Sequence, residues 1–549
     1  RRSLGKRTFD AWGRVTSLTR GDATETYTYI GASTVPASTK TADGLVLKHE
    51  YIPELGNKLS KITNEDGSKQ KTFSYAHARQ NISTASEGER ILKHHHDSQL
   101  RVTQQHAQTQ PGKTKEVSCS YSPAGRLLSD TDVFGATTKF LYNSGGQRTF
   151  SKKEFVTSYT YNDQGLAENE RLEVKTDAAK HVDLKYEYDA QQREIMREFH
   201  PVNTSIVLKI MTSYYSDGRF KQVQLKGDSD VLGSRSFTYT AAGRLKSCTT
   251  TGVWRPQNPK GKLIDKEEFT YDALGNVSRC VSTFAGARNI ATYTYDSSMG
   301  VRLEKIENTH ADYTKSATLT YDAAGRISQD QKGRKYHYDW LGHLTQIGSK
   351  LYSYAPDDSL MTVGEGPDQR QLIYREGQLN GEYAIENDSN FRQLQPGSAS
   401  CIAQQTRISG VDRILYEWRD LNGTVCVTYD AVADTTKFHA YTAFGEHFFE
   451  DTHSLLGYQG EYEDATNGQI PLGERVYLPQ IRQFHAPDTS SPFGIGGPHA
   501  YGYCVGNDPI NFHDPSGHFS VSRALRNIWG DNLPEPLGLG ESGKVISTI

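Results

Sequence analysis

Methionine is scarce in this chain, 4 in 549 residues, and hydrophobic residues make up only 35%, below the ordinary globular share. A single solid core in a body of this length needs more apolar material than that, so burial must be spread thinly over many half-covered surfaces. An excess of one charge is also missing. Lys+Arg number 62 against Asp+Glu 65, a formal net charge of -3, which gives no field for steering towards nucleic acid or an anionic membrane. Cys119, Cys248, Cys280, Cys401, Cys426 and Cys504 form no CxxC pair, so neither a disulfide framework nor a zinc knuckle is expected, and six free thiols in a reducing compartment are. No run of about 18 apolar residues is present to cross a membrane, and the polar opening stretch does not read as a signal peptide. The adjacent His94, His95 and His96 would point to alternate faces of a strand, so at most two converge on a metal; a solvated loop is the expected reading, and no cofactor is expected. The glycine-rich pieces NSGGQR (143–148) and GIGG (494–497) lack phosphate-loop spacing and read as turns, and no GxSxG or HExxH motif occurs.

What the chain does have is tyrosine and glycine, 32 and 49. They recur in one pattern: an alternating run ending in Tyr, an acidic or small residue, two variable residues, then Gly and Arg or Asn. The clearest copies are YDALGN (271–276) and YDAAGR (321–326), with YSPAGR (121–126), YTAAGR (239–244), YDWLGH (338–343) and FDAWGR (9–14) close behind. Looser copies stand at Tyr51, Tyr161, Tyr188, Tyr215, Tyr295 and Tyr441. The period-two alternation predicts a strand with one buried face, and Asp-x-x-Gly is turn chemistry: the carboxylate accepts from backbone N–H groups ahead of it and Gly takes positive φ. Each copy is therefore expected to be a β-hairpin, its tyrosine a packing residue of the sheet. Uneven spacing between copies points to an irregular spiral rather than a strict solenoid.

The motif resembles the YD repeat of Rhs proteins, teneurins and the C components of Tc insecticidal toxin complexes, and the resemblance runs from the first residue to about 450. It implies an all-β fold in which hairpins wind into a hollow spiral shell, a cocoon.

Past Asp420 the repeat gives way to RDLNGTVCVTYD, YTAFGE (441–446) and GYQGEYED (457–464), and then to a stretch ending SPFGIGGPHAYGYCVGNDPINFHDPSGH (491–518). This last segment resembles the Rhs repeat-associated core in its TccC-like version. Its aspartates lie in Pro-Asp and Asp-Pro contexts that stiffen the backbone, and two rigid carboxyls brought together cannot both ionise, so one holds a proton while the other serves as base. The bland reading makes Asp488, Asp508 and Asp514 turn residues that seal the shell. The resemblance implies an aspartic self-cleaving peptidase with Asp488 and Asp514 as the pair, Arg475 as a fixed cation that splits their pKa values, and a cut beside His518 or Phe519. Two positions depart from the family pattern: Val476 stands where some self-cleaving members carry Asp, and Gln483-Phe484 replaces Arg-Phe, with Arg482 displaced by one.

The expected organisation is a repeat shell over 1–419, a core over 420–518 that acts as plug and cutter, and the start of a truncated variable effector over 519–549, too short to fold alone. The function implied is that of a bacterial toxin-complex C component, made in the cytoplasm and released with its complex. It would encapsulate an effector polypeptide and free it by cutting, with a TcB-like shell partner and, through it, a TcA-like translocation pore; neither nucleic acid nor membrane insertion by this chain is implied. The rival reading is a cell-surface carbohydrate-binding or adhesion protein, in which exposed tyrosines would stack on sugar rings. A third is a remnant with neither cargo nor protease.

Overall fold

The computed structural model describes residues 4–518 and 521–522, apart from 77–80, 111–112, 144–147, 153–154, 176, 203, 229, 376–377, 396–399, 448–453, 465–467 and 495–496. The chain is all-β. Among the described residues, 27 strands from Lys6–Phe9 to Ser316–Thr318 form one sheet in which each strand pairs antiparallel with the next in sequence. A two-stranded ladder, Thr320–Tyr321 with Ile327–Gln329, carries the chain into a second sheet of 11 strands, Tyr336–Tyr338 to Thr435–Phe438, again paired in sequence order. Position 420 lies in the turn between strands Val411–Arg419 and Val425–Asp430 of that sheet.

The repeat explains why the meander holds its shape. In YDALGN, Asp272 Oδ1 accepts from the backbone N–H of Leu274 at 2.9 Å and of Asn276 at 3.0 Å, while Gly275 takes φ 89, which only glycine adopts cheaply. Asp322 repeats this on Ala324 and Arg326 and adds its second oxygen to Arg326 Nε at 2.7 Å. A β-bulge lies beside each motif tyrosine and swings its ring along the sheet. The hydroxyl then donates to the first carbonyl of the preceding return strand: Tyr239 to Phe220 at 2.8 Å, Tyr271 to Leu245 at 2.5 Å, Tyr295 to Val277 at 2.9 Å, Tyr321 to Leu303 at 2.6 Å and Tyr338 to Ile327 at 2.7 Å. The motif arginine lies over the next tyrosine ring, as Arg219 does over Tyr239 at 4.4 Å and Arg326 over Tyr338 at 4.3 Å, a cation–π contact. Where the motif carries its arginine, as at Arg219 and Arg326, the copy thus latches onto its neighbour twice. Tyr271→Phe removes one such latch and should cost about 1 kcal/mol in urea unfolding, the net value of a hydrogen bond; an unchanged midpoint would mean the latch carries no stability.

The spiral is read from contacts between distant parts of the chain. Arg302 forks onto Asp22 at 3.1 Å through both terminal nitrogens, 280 residues apart. Arg326 meets Asp43 at 2.6 Å (283 apart), Lys71 meets Asp358 at 2.5 Å (287 apart) and Lys115 meets Asp388 at 2.8 Å (273 apart). The order is the same on both sides, so an early stretch of ribbon lies alongside a later one in parallel. Further on the offset narrows: Arg375 reaches Asp130 across 245 residues, and Arg197 donates to the Arg419 carbonyl across 222. The winding tightens towards the C-terminal end.

That end is occupied by segment 440–518, whose small ladder joins strands Ile470–Leu472, Arg475–Leu478 and Gln483–Phe484. It is tied to the wall from several sides. Tyr501 donates to the Gly325 carbonyl at 2.7 Å, Asn507 to the Gly275 carbonyl at 2.6 Å, Gln483 to the Val301 carbonyl at 3.0 Å, and the N–H of Phe220 donates to Asn511 at 3.0 Å. Arg20 closes the circuit from the first turn, donating to the carbonyls of Thr489 at 2.7 Å and Ser491 at 2.9 Å.

Candidate carboxylate pair and its clamp

Strand Arg475–Leu478 is buried along its whole length. Tyr477 stacks on Tyr503 at 3.7 Å, Phe484 packs edge-on to both, and the Arg475 guanidinium lies 3.7 Å from the Phe484 ring centroid. That aromatic floor fixes the arginine plane. Arg475 is then divided among four acceptors. It donates to the Gly517 carbonyl through Nε and to the Ala500 carbonyl at 3.1 Å, and a single terminal nitrogen lies 3.3 Å from Asp488 Oδ2 and 4.0 Å from Asp514 Oδ2. One cation therefore faces both predicted aspartates. The aspartates are 1% and 2% exposed.

Their environments differ. Asp488 Oδ1 accepts from the N–H of Ser490 at 2.7 Å and from His518 Nδ1 at 2.9 Å. Burial pushes its pKa up, but the His518 hydrogen bond and the Arg475 and His518 charges outweigh it and leave the carboxyl below the usual range. Burial also raises Asp514, and with the nearby Asp488 charge it exceeds the pull of Arg475 and His518, so Asp514 sits at about 6. Like-charged neighbours in unequal settings titrate apart: Asp488 is the ionised member and Asp514 the one that keeps a proton longest. His518, 8% exposed, is also bound through Nε2 to Glu474 at 3.1 Å. Burial lowers its pKa, but the Asp488 and Glu474 hydrogen bonds and charges raise it to about 9. Phe519, the other residue of the expected cut, lies outside the described residues, and Val521–Ser522 pairs with Phe512–His513 just beyond it.

Asp508, also buried, is elsewhere. Burial raises it to about 6, and it accepts from Asn511 Nδ2 at 2.8 Å while the Asn511 amide also reaches Tyr239, which makes it a turn residue fastened to the wall. The two departures from the family pattern are structural as well. Val476 packs in the apolar core, and the displaced Arg482 points to the wall, bonded to Tyr293, 3.5 Å from Cys280 Sγ and 3.7 Å from Glu267. The residues that sequence reasoning missed are Glu474 and the imidazole of His518 as a group with its own partners. The first has no motif of its own; its only signal is adjacency to Arg475. His94, His95 and His96 lie not in a solvated loop but on strand Arg90–His96, paired with the following strand, and among the described residues no group of three His, Cys, Asp or Glu could hold a metal ion. All six cysteines are free thiols, and no described helix is long and apolar enough to cross a membrane.

A meander of Tyr-Asp hairpins wound on itself defines a class, and comparison with known proteins agrees. Residues 258–379 match the Teneurin YD-shell family. Teneurin-3 of Danio rerio is 21% identical over 409 residues, 69% of this chain and 14% of that protein. The TcdB2-TccC3-TEV crystal structure superposes with TM-score 0.65 at 16% identity, covering 94% of this chain and 28% of that one. A mutant Tc holotoxin pore of Photorhabdus luminescens gives 0.65 at 17%, with 94% and 28% covered. TcdB2-TccC3 without its hypervariable C-terminal region gives 0.64 at 14%, with 93% and 30% covered. The chain spans less than a third of each of these relatives. Its fold is that of the YD shell.

Proposed function

We propose that this chain is the shell and cutter of a toxin-complex C component: the spiral encloses an effector polypeptide joined after 518, and the Asp488–Asp514 pair severs it. The observation that carries this reading is one buried guanidinium facing two carboxyls, of which one is held ionised and the other near 6. Asp488 would take a proton from water, whose oxygen attacks the carbonyl carbon of residue 518 while Asp514 protonates the carbonyl oxygen. Collapse breaks the C–N bond, the proton held by Asp488 passes to the nitrogen of residue 519, and Asp514 recovers its own. The proposed plan is a repeat shell over 1–419, a core over 420–518 whose first two strands, Val425–Asp430 and Thr435–Phe438, still belong to the second sheet, and an effector start from 519. A TcB-like partner would complete the enclosure, and a TcA-like pore would receive the product of this secreted complex.

The adhesin reading requires free tyrosine faces. The repeat tyrosines instead are partly buried, with hydroxyls bonded to backbone carbonyls and rings covered by arginines, which weighs against it.

The test is the intact mass of the chain carrying a tag beyond residue 518. A fragment ending at or beside His518 supports the proposal, and an uncut chain rejects the protease part. The rate has a predicted pH dependence. Asp514 must be protonated and its pKa is about 6, so cutting by precursor refolded into buffers of about pH 5 to 8 should fall roughly tenfold per unit above about 6. A rate that climbs with pH across that window contradicts the assignment of Asp514 as acid.

A further inference from the structure

Two glycines bring the end of the core onto the strand that holds Arg475. At Gly473, φ 52, an added Cβ would stand 2.3 Å from the Ser516 carbonyl oxygen; at Gly517, φ 71, it would stand 2.4 Å from the Leu472 carbonyl oxygen. The two backbones meet where a side chain on either would keep them apart. This contact fixes the peptide immediately before position 519 at several points. Arg475 Nε donates to the Gly517 carbonyl, the His518 N–H donates to Ser516 Oγ at 3.2 Å, and the His518 ring bridges Asp488 at 2.9 Å and Glu474 at 3.1 Å.

From this geometry we infer that Glu474 is the specificity-determining residue of the self-cleaving site, and that the site reads a cationic imidazole, His518, as the residue preceding the severed bond. The inference rests on the proposed cut after 518 and deepens it. Both ring nitrogens face carboxylate oxygens, so both carry hydrogens and the ring is held as imidazolium. The charged groups around it are Asp488, Glu474, Arg475 and Asp514. An apolar residue at 518 would leave Glu474 and Asp488 facing a side chain that cannot bond them, and sites built for a hydrogen-bonding group reject analogues that lack it by far more than apolar pockets reject a missing methyl. Gln at 474 keeps the shape and removes the charge. Glu474 thus sets which residue may stand before the cut, and by holding the ring, which also bonds Asp488, it keeps residue 518 beside the aspartate pair.

The experiment follows the rate of cutting in the full tagged chain for His518→Leu, His518→Lys, Glu474→Gln and their combinations, alongside wild type. Glu474→Gln is expected to slow cutting about tenfold or more and His518→Leu at least about a hundredfold. The double variant Glu474→Gln/His518→Leu should be no slower than His518→Leu alone, because partners in one interaction are not additive. His518→Lys should retain cutting with Glu474 in place and lose it when combined with Glu474→Gln. Since His518→Leu could disturb folding, melting temperatures are compared in the Asp514→Asn background, where no cut confuses them, and the lysine pair supplies a second comparison. Glu474→Gln cutting at the wild-type rate, or single effects that multiply in the double variant, overturns the inference while leaving the aspartate mechanism standing. Wild type that stays whole overturns that mechanism itself and the inference with it.

Discussion

Asp514→Asn leaves the tagged chain uncut, or slows it by at least about a hundredfold, because it replaces the proposed acid with an amide that holds no transferable proton at a site where acid–base groups are worth about 10²–10⁴ each. Asp488→Asn has the same outcome by a different route, since it removes the base. The two substitutions differ in what they do to the fold. Arg475 lies 3.3 Å from Asp488 and 4.0 Å from Asp514, and His518 bonds to Asp488, so Asp488→Asn leaves two buried cations short of a counter-charge, a loss of about 3–5 kcal/mol where one partner of a buried pair goes. Asp514→Asn removes a carboxyl whose burial already disfavours its charge and should leave unfolding nearly unchanged. The pair therefore separates chemistry from stability: no cut and normal unfolding in Asp514→Asn is the expected signature. Cutting that persists in Asp514→Asn at the wild-type rate assigns the chemistry to other residues.

The wall was readable because its rules are local. Period-two alternation, Asp accepting from the two N–H groups ahead and glycine at positive φ all act within six residues, so YDALGN and YDAAGR announce a hairpin whatever lies around them. The tyrosine latch was only half visible. Composition pointed to a packing ring, whereas the hydroxyl bond to the preceding return strand depends on the bulge beside the ring. The winding could not be read at all from periodicity, because Asp22 and Arg302, or Lys71 and Asp358, carry no sign of each other across nearly 300 residues; only the family resemblance supplied it. At the core the same division holds. Asp488, Asp514 and Arg475 were nameable from motif, and the structure brings them together. Glu474 was invisible because its role comes from the approach of Gly517 to Gly473, a tertiary contact between segments that each look like an ordinary turn.

The seam between turns of the spiral is where stability should be most sensitive, and Asp358→Asn measures it. Lys71 is fully buried, with its ammonium 2.5 Å from Asp358 Oδ1 and near the Phe73 ring. His343 approaches the same oxygen at 2.8 Å through Nε2 and Asp339 at 3.0 Å through Nδ1. Burial lowers the imidazole pKa, but the two carboxylates raise it to about 9, so one carboxylate faces two cations near neutral pH. Asp358 has φ 71, a left-handed conformation that asparagine also tolerates, so the substitution changes the charge with little strain on the backbone. Lys71 and His343 both lose a counter-charge at a site where water cannot replace it. The expected loss is about 3–5 kcal/mol in urea unfolding, the cost of breaking a buried pair from one side, with faster amide exchange in strand Gln70–Tyr75 as the first turn lifts from the second. The sign of the pH dependence follows from His343: its raised pKa contributes stability that is complete below the ordinary imidazole value and is lost as pH rises through about 9. Wild type should therefore weaken at alkaline pH and Asp358→Asn much less, because removing one of the two carboxylates that raise the pKa shrinks the shift. A loss under about 1 kcal/mol, or an equal alkaline weakening in both, would place the strength of the seam in its surface ion pairs, Arg302 with Asp22 and Lys115 with Asp388, rather than in this buried one.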